Sequence, residues 1–118
     1  MEKLTKIEIK NMPSGPKIDR FISENIFNTK WIKPTHGTCC TCQTCGWDYD
    51  NCMCGWSIYL EKAWSILEKM GGSFLVDSSA PQLGIDVTIF YDGGARYSTG
   101  TAETFELAVC RAALLTLL

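Results

Sequence analysis

A single histidine serves the whole chain, so any catalytic system built on imidazole would have to use His36. That residue sits in a stretch rich in cysteine, threonine and glycine, where it reads as a spare ligand or an exposed side chain. No glycine-rich phosphate loop occurs either: Gly93-Gly94 lacks the lysine and helix that must follow such a loop. Long apolar runs are missing, which argues against a membrane-spanning helix. The first ten residues alternate charge with single apolar side chains, unlike the apolar stretch of a secretory leader. An excess of one charge is missing as well. With 11 Lys/Arg against 13 Asp/Glu the net charge is −2, too little to draw the chain as a whole toward nucleic acid or anionic lipid. Residues 1–33 carry a mild basic excess, which reads as solvated surface.

What is present is an ordinary globular composition. The 118 residues suit one domain, 1–118, and 46% hydrophobic against 20% charged is too apolar for disorder. Seven cysteines are unevenly spread: six lie between Cys39 and Cys54, and Cys110 lies apart in an apolar segment. A secreted disulfide scaffold distributes its cysteines to staple distant loops. Local crowding without a leader pattern points to a reducing compartment such as the cytoplasm, and to thiolates that serve a metal or redox chemistry.

The chain reads as an α+β order. Residues 1–12 are ambiguous, since Leu4, Ile7 and Met12 suit a short helix while Ile7 and Ile9 alternate like a strand. Pro13-Ser14-Gly15-Pro16 opens a first helix, with Ile18, Phe21, Ile22 and Ile26 on one face and Asp19 in its first turn. Residues 34–55 have no period and form a Cys-rich loop. Ser57 is the candidate N-cap of a second helix whose apolar face is Leu60, Ala63, Trp64 and Leu67, stopped by Met70-Gly71-Gly72. Three strands are expected at 73–77, 84–91 and 95–98, the last two joined through Asp92-Gly93-Gly94. A last helix is expected from an N-cap at Thr101. Its Phe105, Ala108, Val109 and Ala112 form one apolar face, and Leu107, Cys110, Leu114 and Leu117 another. A helix apolar nearly all round must be covered on two sides, by the sheet and by another helix or subunit. A homodimer is therefore compatible with it.

The cysteine loop carries the main chemical signal. Zinc takes four ligands in a tetrahedron, and thiolates are supplied in pairs on tight turns. Cys42-Gln43-Thr44-Cys45-Gly46 and Cys52-Met53-Cys54-Gly55 provide two such pairs, so Cys42, Cys45, Cys52 and Cys54 are the expected ligands of a structural zinc. The set is over-supplied: Cys39, Cys40 and His36 could replace members of it. A closed four-sulfur site keeps no position open for water and would not be catalytic. The alternatives are a thiol-rich loop without metal and a redox pair at Cys42 and Cys45. The redox pair lacks the preceding strand and following helix that lower a thiol's pKa. Trp31, Trp47, Trp56 and Trp64 gather around this loop. Trp64 reads as core. Trp47 and Tyr49 offer either a binding surface or a cap over a small satellite core.

Three segments resemble a known family. Pro13-Ser14-Gly15-Pro16-Lys17-Ile18-Asp19, Ala63-Trp64-Ser65-Ile66-Leu67-Glu68-Lys69-Met70 and Cys110-Arg111-Ala112-Ala113-Leu114-Leu115 are similar, in order, to motifs of the phage ABA-sandwich family. The resemblance spans about 12–118. It implies a three-layer α–β–α sandwich with a small three-stranded antiparallel sheet, about three helices and a phage or prophage origin, and it implies no activity. The cysteine density of the insert between the first two helices goes beyond the family pattern.

The expected function is therefore that of a phage accessory protein: a non-enzymatic module that binds a protein partner, stiffened by a structural zinc loop. A second reading starts from the order helix, three strands, helix, which matches the double-stranded-RNA-binding domain. That domain grips phosphate with lysines at the start of its last helix. Gly100-Thr101-Ala102-Glu103-Thr104-Phe105-Glu106 is acidic there, which disfavours nucleic acid. The carboxylates are otherwise scattered singly, with Asp77, Asp86 and Asp92 explained by strand ends, an exposed strand face and a turn.

Overall fold

The computed structural model describes residues 4–28, 31–32, 41–42, 55–78, 82 and 84–118. Its first element settles the ambiguity at the N-terminus. Residues Lys6–Asn11 form helix α1 because Thr5 and Glu8 close a capping box, with Thr5 Oγ1 accepting the Glu8 N–H and Glu8 Oε1 accepting the Thr5 N–H, both at 3.2 Å. A strand would have put Ile7 and Ile9 on one face. In the helix they part: Ile9 is buried and Ile7 is 73% exposed.

Helix α2 (Pro16–Asn25) starts where the proline predicts, with Pro16 in its first turn and Gly15 at φ 140° before it. Ile18, Phe21, Ile22 and the following Ile26 are buried as one face. Two short strands, β1 (Trp31–Ile32) and β2 (Thr41–Cys42), then pair antiparallel, Trp31 opposite Cys42. The second falls inside the segment expected to be irregular.

Helix α3 (Leu60–Lys69) begins later than the Ser57 signal suggests. Its N-cap is Tyr59, without a side-chain cap. Ser57 is engaged elsewhere, as described below. The C-terminus is as expected: Gly72 N–H reaches Leu67 O at 2.8 Å and Gly71 N–H reaches Glu68 O at 3.2 Å, with both glycines at positive φ.

Strands β3 (Phe74–Asp77), β4 (Ile85–Tyr91) and β5 (Arg96–Ala102) form an antiparallel sheet in that order. Residues 92–95 make the β4–β5 turn, in which Asp92, Gly93 and Gly94 all have positive φ. β5 runs further than expected because Thr101 is a strand residue, not a cap. It pairs with Asp86 and donates its hydroxyl to Asp86 Oδ1 at 2.6 Å. The cap of helix α4 (Phe105–Leu115) is Thr104, whose Oγ1 accepts the Leu107 N–H.

The structure is thus α+β, a sandwich of a three-stranded antiparallel sheet and helices. Four helices are present among the described residues where about three were expected; α1 is the addition. Helix α4 is the hub. It lies against β4 and β5 on one side and meets α1, α2 and α3 on its others, which explains why residues 107–110 and 112–115 are all buried. The two-sided burial expected of it comes from helices of the same chain. Against the sheet it approaches so closely at Gly100 that a Cβ there would lie 2.4 Å from Ala108 O and Ala112 N. Trp64 departs from the core role expected of it. It is 43% exposed and lies edge-on to Phe74, centroids 5.4 Å apart, beside Phe105 at 5.8 Å.

Arg111 ties the hub to both ends of this arrangement. Its Nε and Nη2 donate to Met12 O, at 3.2 and 2.9 Å, and its Nη1 to Thr101 O at 2.6 Å. Partial burial lowers the guanidinium pKa, while Glu103 acts in the opposite direction. Replacing Arg111 with methionine keeps the aliphatic stem and removes all three bonds. Charge-assisted hydrogen bonds of this kind support an expected loss of about 1–3 kcal/mol in urea unfolding. A loss below about 0.5 kcal/mol would show that water replaces the guanidinium freely.

Candidate functional site

The expected zinc ligands are only partly placed. Cys42 lies in β2 opposite Trp31, whereas Cys45, Cys52 and Cys54, and the spares His36, Cys39 and Cys40, lie outside the described residues, as do Trp47 and Tyr49. Among the described residues no three His, Cys, Asp or Glu side chains converge as a metal site would require.

The exit of the loop is held by a polar cluster that the sequence reading did not assemble. Asp19 is 1% exposed, and its Oδ1 accepts the Ser57 N–H at 2.8 Å. Ser57 Oγ accepts the Gly15 N–H at 3.0 Å, so the segment before α3 and the start of α2 clamp each other. Next to it the buried Trp56 donates Nε1–H to Ser23 Oγ at 2.7 Å and stacks on Phe27, centroids 4.2 Å apart and 10° from parallel. Lys62 Nζ sits 5.0 Å from the Trp56 ring. These are positioning contacts. They fix where the cysteine loop re-enters the domain.

Cys110 lies on the α4 flank, fully buried. Burial pushes its thiol well above the ordinary value, and the negative charges of Asp19 and Glu106 push it further. The raised folded-state pKa sets the sign of the linkage. The stability that this neutral thiol contributes is present below the unfolded thiol pKa of about 8.5 and is lost as pH rises through the folded value. At pH 8, alkylation by iodoacetamide, mapped by peptide, should reach Cys110 only as fast as the protein unfolds. Rapid labelling of the folded chain would contradict its burial.

Apart from the polar cluster, the described residues form a cleft of about 410 Å³. One wall is α1, through Lys6 and Lys10; the other is the sheet, through Tyr91, Tyr97, Ser98 and Thr99; Leu115 and Leu118 add apolar surface. Lys6 and Lys10 are four apart on a helix and share a face. Nearby, the Arg96 guanidinium lies 5.5 Å from the Tyr91 ring. A recognised capping box at Thr5 and Glu8 would have revealed the lysine pair in the sequence. Its apposition to β5 depends on the packing of α1 on α4, which no local pattern encodes.

The face of the sheet turned away from α4 carries Leu75, Thr88, Phe90, Tyr97 and Thr99, with Leu75 64% and Tyr97 68% exposed. Thr88 and Thr99 hydroxyls bond across it at 2.8 Å, and the Phe90 and Tyr97 rings lie 6.2 Å apart. Asp77 is paired opposite Asp86 at the strand ends, and Asp92 lies in the turn, so the three carboxylates stay apart from the cleft wall. No helix among the described residues is long and apolar enough to cross a membrane.

Comparison with known proteins agrees with this architecture. The chain is similar to a phage protein from Bacillus cereus ATCC 14579, known from a 2.0 Å crystal structure, with a TM-score of 0.62 and 21% identity over 99% of this chain and 94% of that one. That likeness is one of fold. No curated protein matches the chain significantly. The phage ABA sandwich domain matches residues 20–114, which take in the latter part of α2, all of α3, the three-stranded sheet and nearly all of α4, and the chain belongs to that family.

Proposed function

We propose that this protein is a non-enzymatic phage module that binds another protein, with the cleft between α1 and β5 as its binding surface. The observation that carries the reading is that a cleft of about 410 Å³ opens along a sheet edge. The buried polar groups described above are engaged in holding elements together, in keeping with a scaffold role. The loop of residues 34–55 is the structural cross-link, its zinc held by Cys42, Cys45, Cys52 and Cys54, and the protein works in the cytoplasm of the bacterial host. Bound there, zinc would supply cross-linking alone, since four sulfurs leave it no open position.

Two measurements test this. A protein captured from infected host lysate, identified and then purified, should bind the chain in calorimetry with a Kd at or below about 10 μM. Failure of every captured protein to bind on reconstitution would overturn the reading. For the loop, protein purified without added metal should carry about one zinc per chain. The Cys42→Ser/Cys45→Ser variant should lose both the zinc and several degrees of Tm, whereas metal-free protein of unchanged stability would remove zinc from the account.

The order α3, β3, β4, β5, α4 is that of the double-stranded-RNA-binding domain, the alternative reading. Its phosphate grip would fall at the start of α4, where Glu103 is exposed and Glu106 half-buried. Both repel phosphate. A salt-sensitive shift with duplex RNA, stronger than any protein complex, would favour that reading instead.

A further inference from the structure

We propose that the cleft takes an extended, carboxylate-bearing segment of a partner protein, which adds to β5 as a fourth strand; this rests on the protein-binding reading above. Strand parity decides which backbone groups of β5 face outward. In β4, Phe90 donates its N–H to Ser73 O at 3.0 Å, so the even-numbered residues of β4 turn their backbone groups to the β3 side. The odd-numbered ones turn to β5, where they face Arg96, Ser98, Gly100 and Ala102. The remaining residues of β5, Tyr97, Thr99 and Thr101, must turn their N–H and C=O groups outward. Arg111 gives independent evidence of this, because it reaches Thr101 O from outside the sheet at 2.6 Å.

Arg111 thus occupies one outward carbonyl. The N–H and C=O groups of Tyr97 and Thr99 have no partner among the described residues, and both residues line the cleft. Ser98, whose side chain points to the opposite face of the sheet, lines it too. A cleft touched by both faces of one strand follows the edge of that strand. Edges that proteins protect carry charge, proline or a bulge; Tyr97-Ser98-Thr99 carries none of the first two and pairs in unbroken register with β4.

The opposite wall selects the partner's charge. Lys6 and Lys10 have no ion-pair partner among the described residues. Four helical residues rise about 6 Å, close to the roughly 6.7 Å between alternate side chains of an extended strand. Acidic residues at alternate positions of the added strand can therefore meet both lysines. An extended peptide also supplies donors as well as acceptors, so it satisfies the outward carbonyls of Tyr97 and Thr99 along with their N–H groups. A nucleic-acid phosphate offers acceptors alone.

The test uses the full chain and two end-capped octapeptides, one alternating glutamate with threonine and one alternating lysine with threonine. Calorimetry should show binding of the glutamate peptide and none of the lysine peptide. Amide hydrogen exchange carries the diagnostic pattern. Tyr97 and Thr99 should slow at least about tenfold at saturation, while Ser98 and Gly100, already bonded to β4, stay unchanged. The glutamate peptide methylated on every backbone nitrogen should not bind, and Lys6→Gln/Lys10→Gln should weaken the unmodified peptide about tenfold with Tm unchanged. Equal binding of the two peptides, binding without protection at Tyr97 and Thr99, no binding at millimolar peptide, or tighter binding of oligothymidylate would each overturn the proposal. So would protection of those two amides by a second copy of the chain in the absence of peptide. A natural partner that binds Lys6→Gln/Lys10→Gln undiminished would sink the cleft assignment and leave the protein-binding reading standing.

Discussion

Gly100→Ala should lower stability by about 3 kcal/mol or more and drop Tm by roughly 10 °C, the largest effect expected of any one-carbon change in this chain. The added Cβ would lie 2.4 Å from Ala108 O, 2.4 Å from Ala112 N and 3.0 Å from Ala112 Cα. All three are backbone atoms of α4, so no rotamer change relieves them. The helix itself must retreat from β5, opening gaps beside Val87 and Ile89, both buried beneath it. Overpacking of a core by a methyl group commonly costs about 1–3 kcal/mol, and a clash with backbone belongs at the upper end or beyond. Shrinking Ala112 to glycine should not rescue the variant. Gly93→Ala is the control: nothing lies within 4 Å of its Cβ, and its positive φ alone should cost about 1 kcal/mol. Equal urea midpoints for the two variants would mean that α4 does not press on Gly100.

Asp19→Ala should be the next most damaging change, at about 2–4 kcal/mol. The carboxylate is buried, and removing it strands the Ser57 N–H, which lies 2.8 Å from Oδ1. A lost bond to a charged acceptor is worth about 1.5–3 kcal/mol, and the carboxylate also faces the positive end of α2 from its first turn. Asp19→Asn keeps an acceptor oxygen and should lose about half as much. The loss should be local before it is global. In Asp19→Ala, amide exchange at Trp56 and Ser57 should speed up ahead of α4, since the clamp to Gly15 goes with the carboxylate. Uniform acceleration across the domain would show that the clamp is not a separate unit.

The sequence disclosed elements where one local rule acted unopposed. Periodicity placed the buried face of α2, alternation placed β4, and the near-continuous apolar surface of α4 foretold a helix enclosed on several sides. It misled where two rules competed for one residue. Ser57 is a good helix cap by type, but its hydroxyl accepts from Gly15, forty-two positions earlier, and α3 waits until Leu60. Thr101 looked like a cap for α4, yet the cross-strand bond to Asp86 keeps it in β5 and Thr104 takes the role. Trp64 has the right period for the core, but its ring is spent on the rim beside Phe74. At the N-terminus the capping pattern of Thr5 and Glu8 was legible and decisive, and without it the lysine pair of the cleft stayed hidden. The cleft depends on which edge of the sheet α1 reaches, and that is a property of tertiary packing. The four expected zinc ligands rest on spacing alone.

One consequence of the architecture concerns the order of manufacture. The helix on which every layer leans occupies residues 105–115, so it leaves the ribosome after all its partners. Until then α1 lacks the helix it packs on, α2 has only its contacts with the Trp56 segment, and the inner side of the sheet has no lid. The stretch from α1 to the start of α4 takes on the order of ten seconds to emerge at ordinary rates, and over that time the earlier elements wait for the helix that joins them. Closure of the core must wait for α4, which joins Met12 to Arg111 across ninety-nine positions. A ribosome stalled before that point would carry α1, α2, α3 and the sheet without the helix against which they pack.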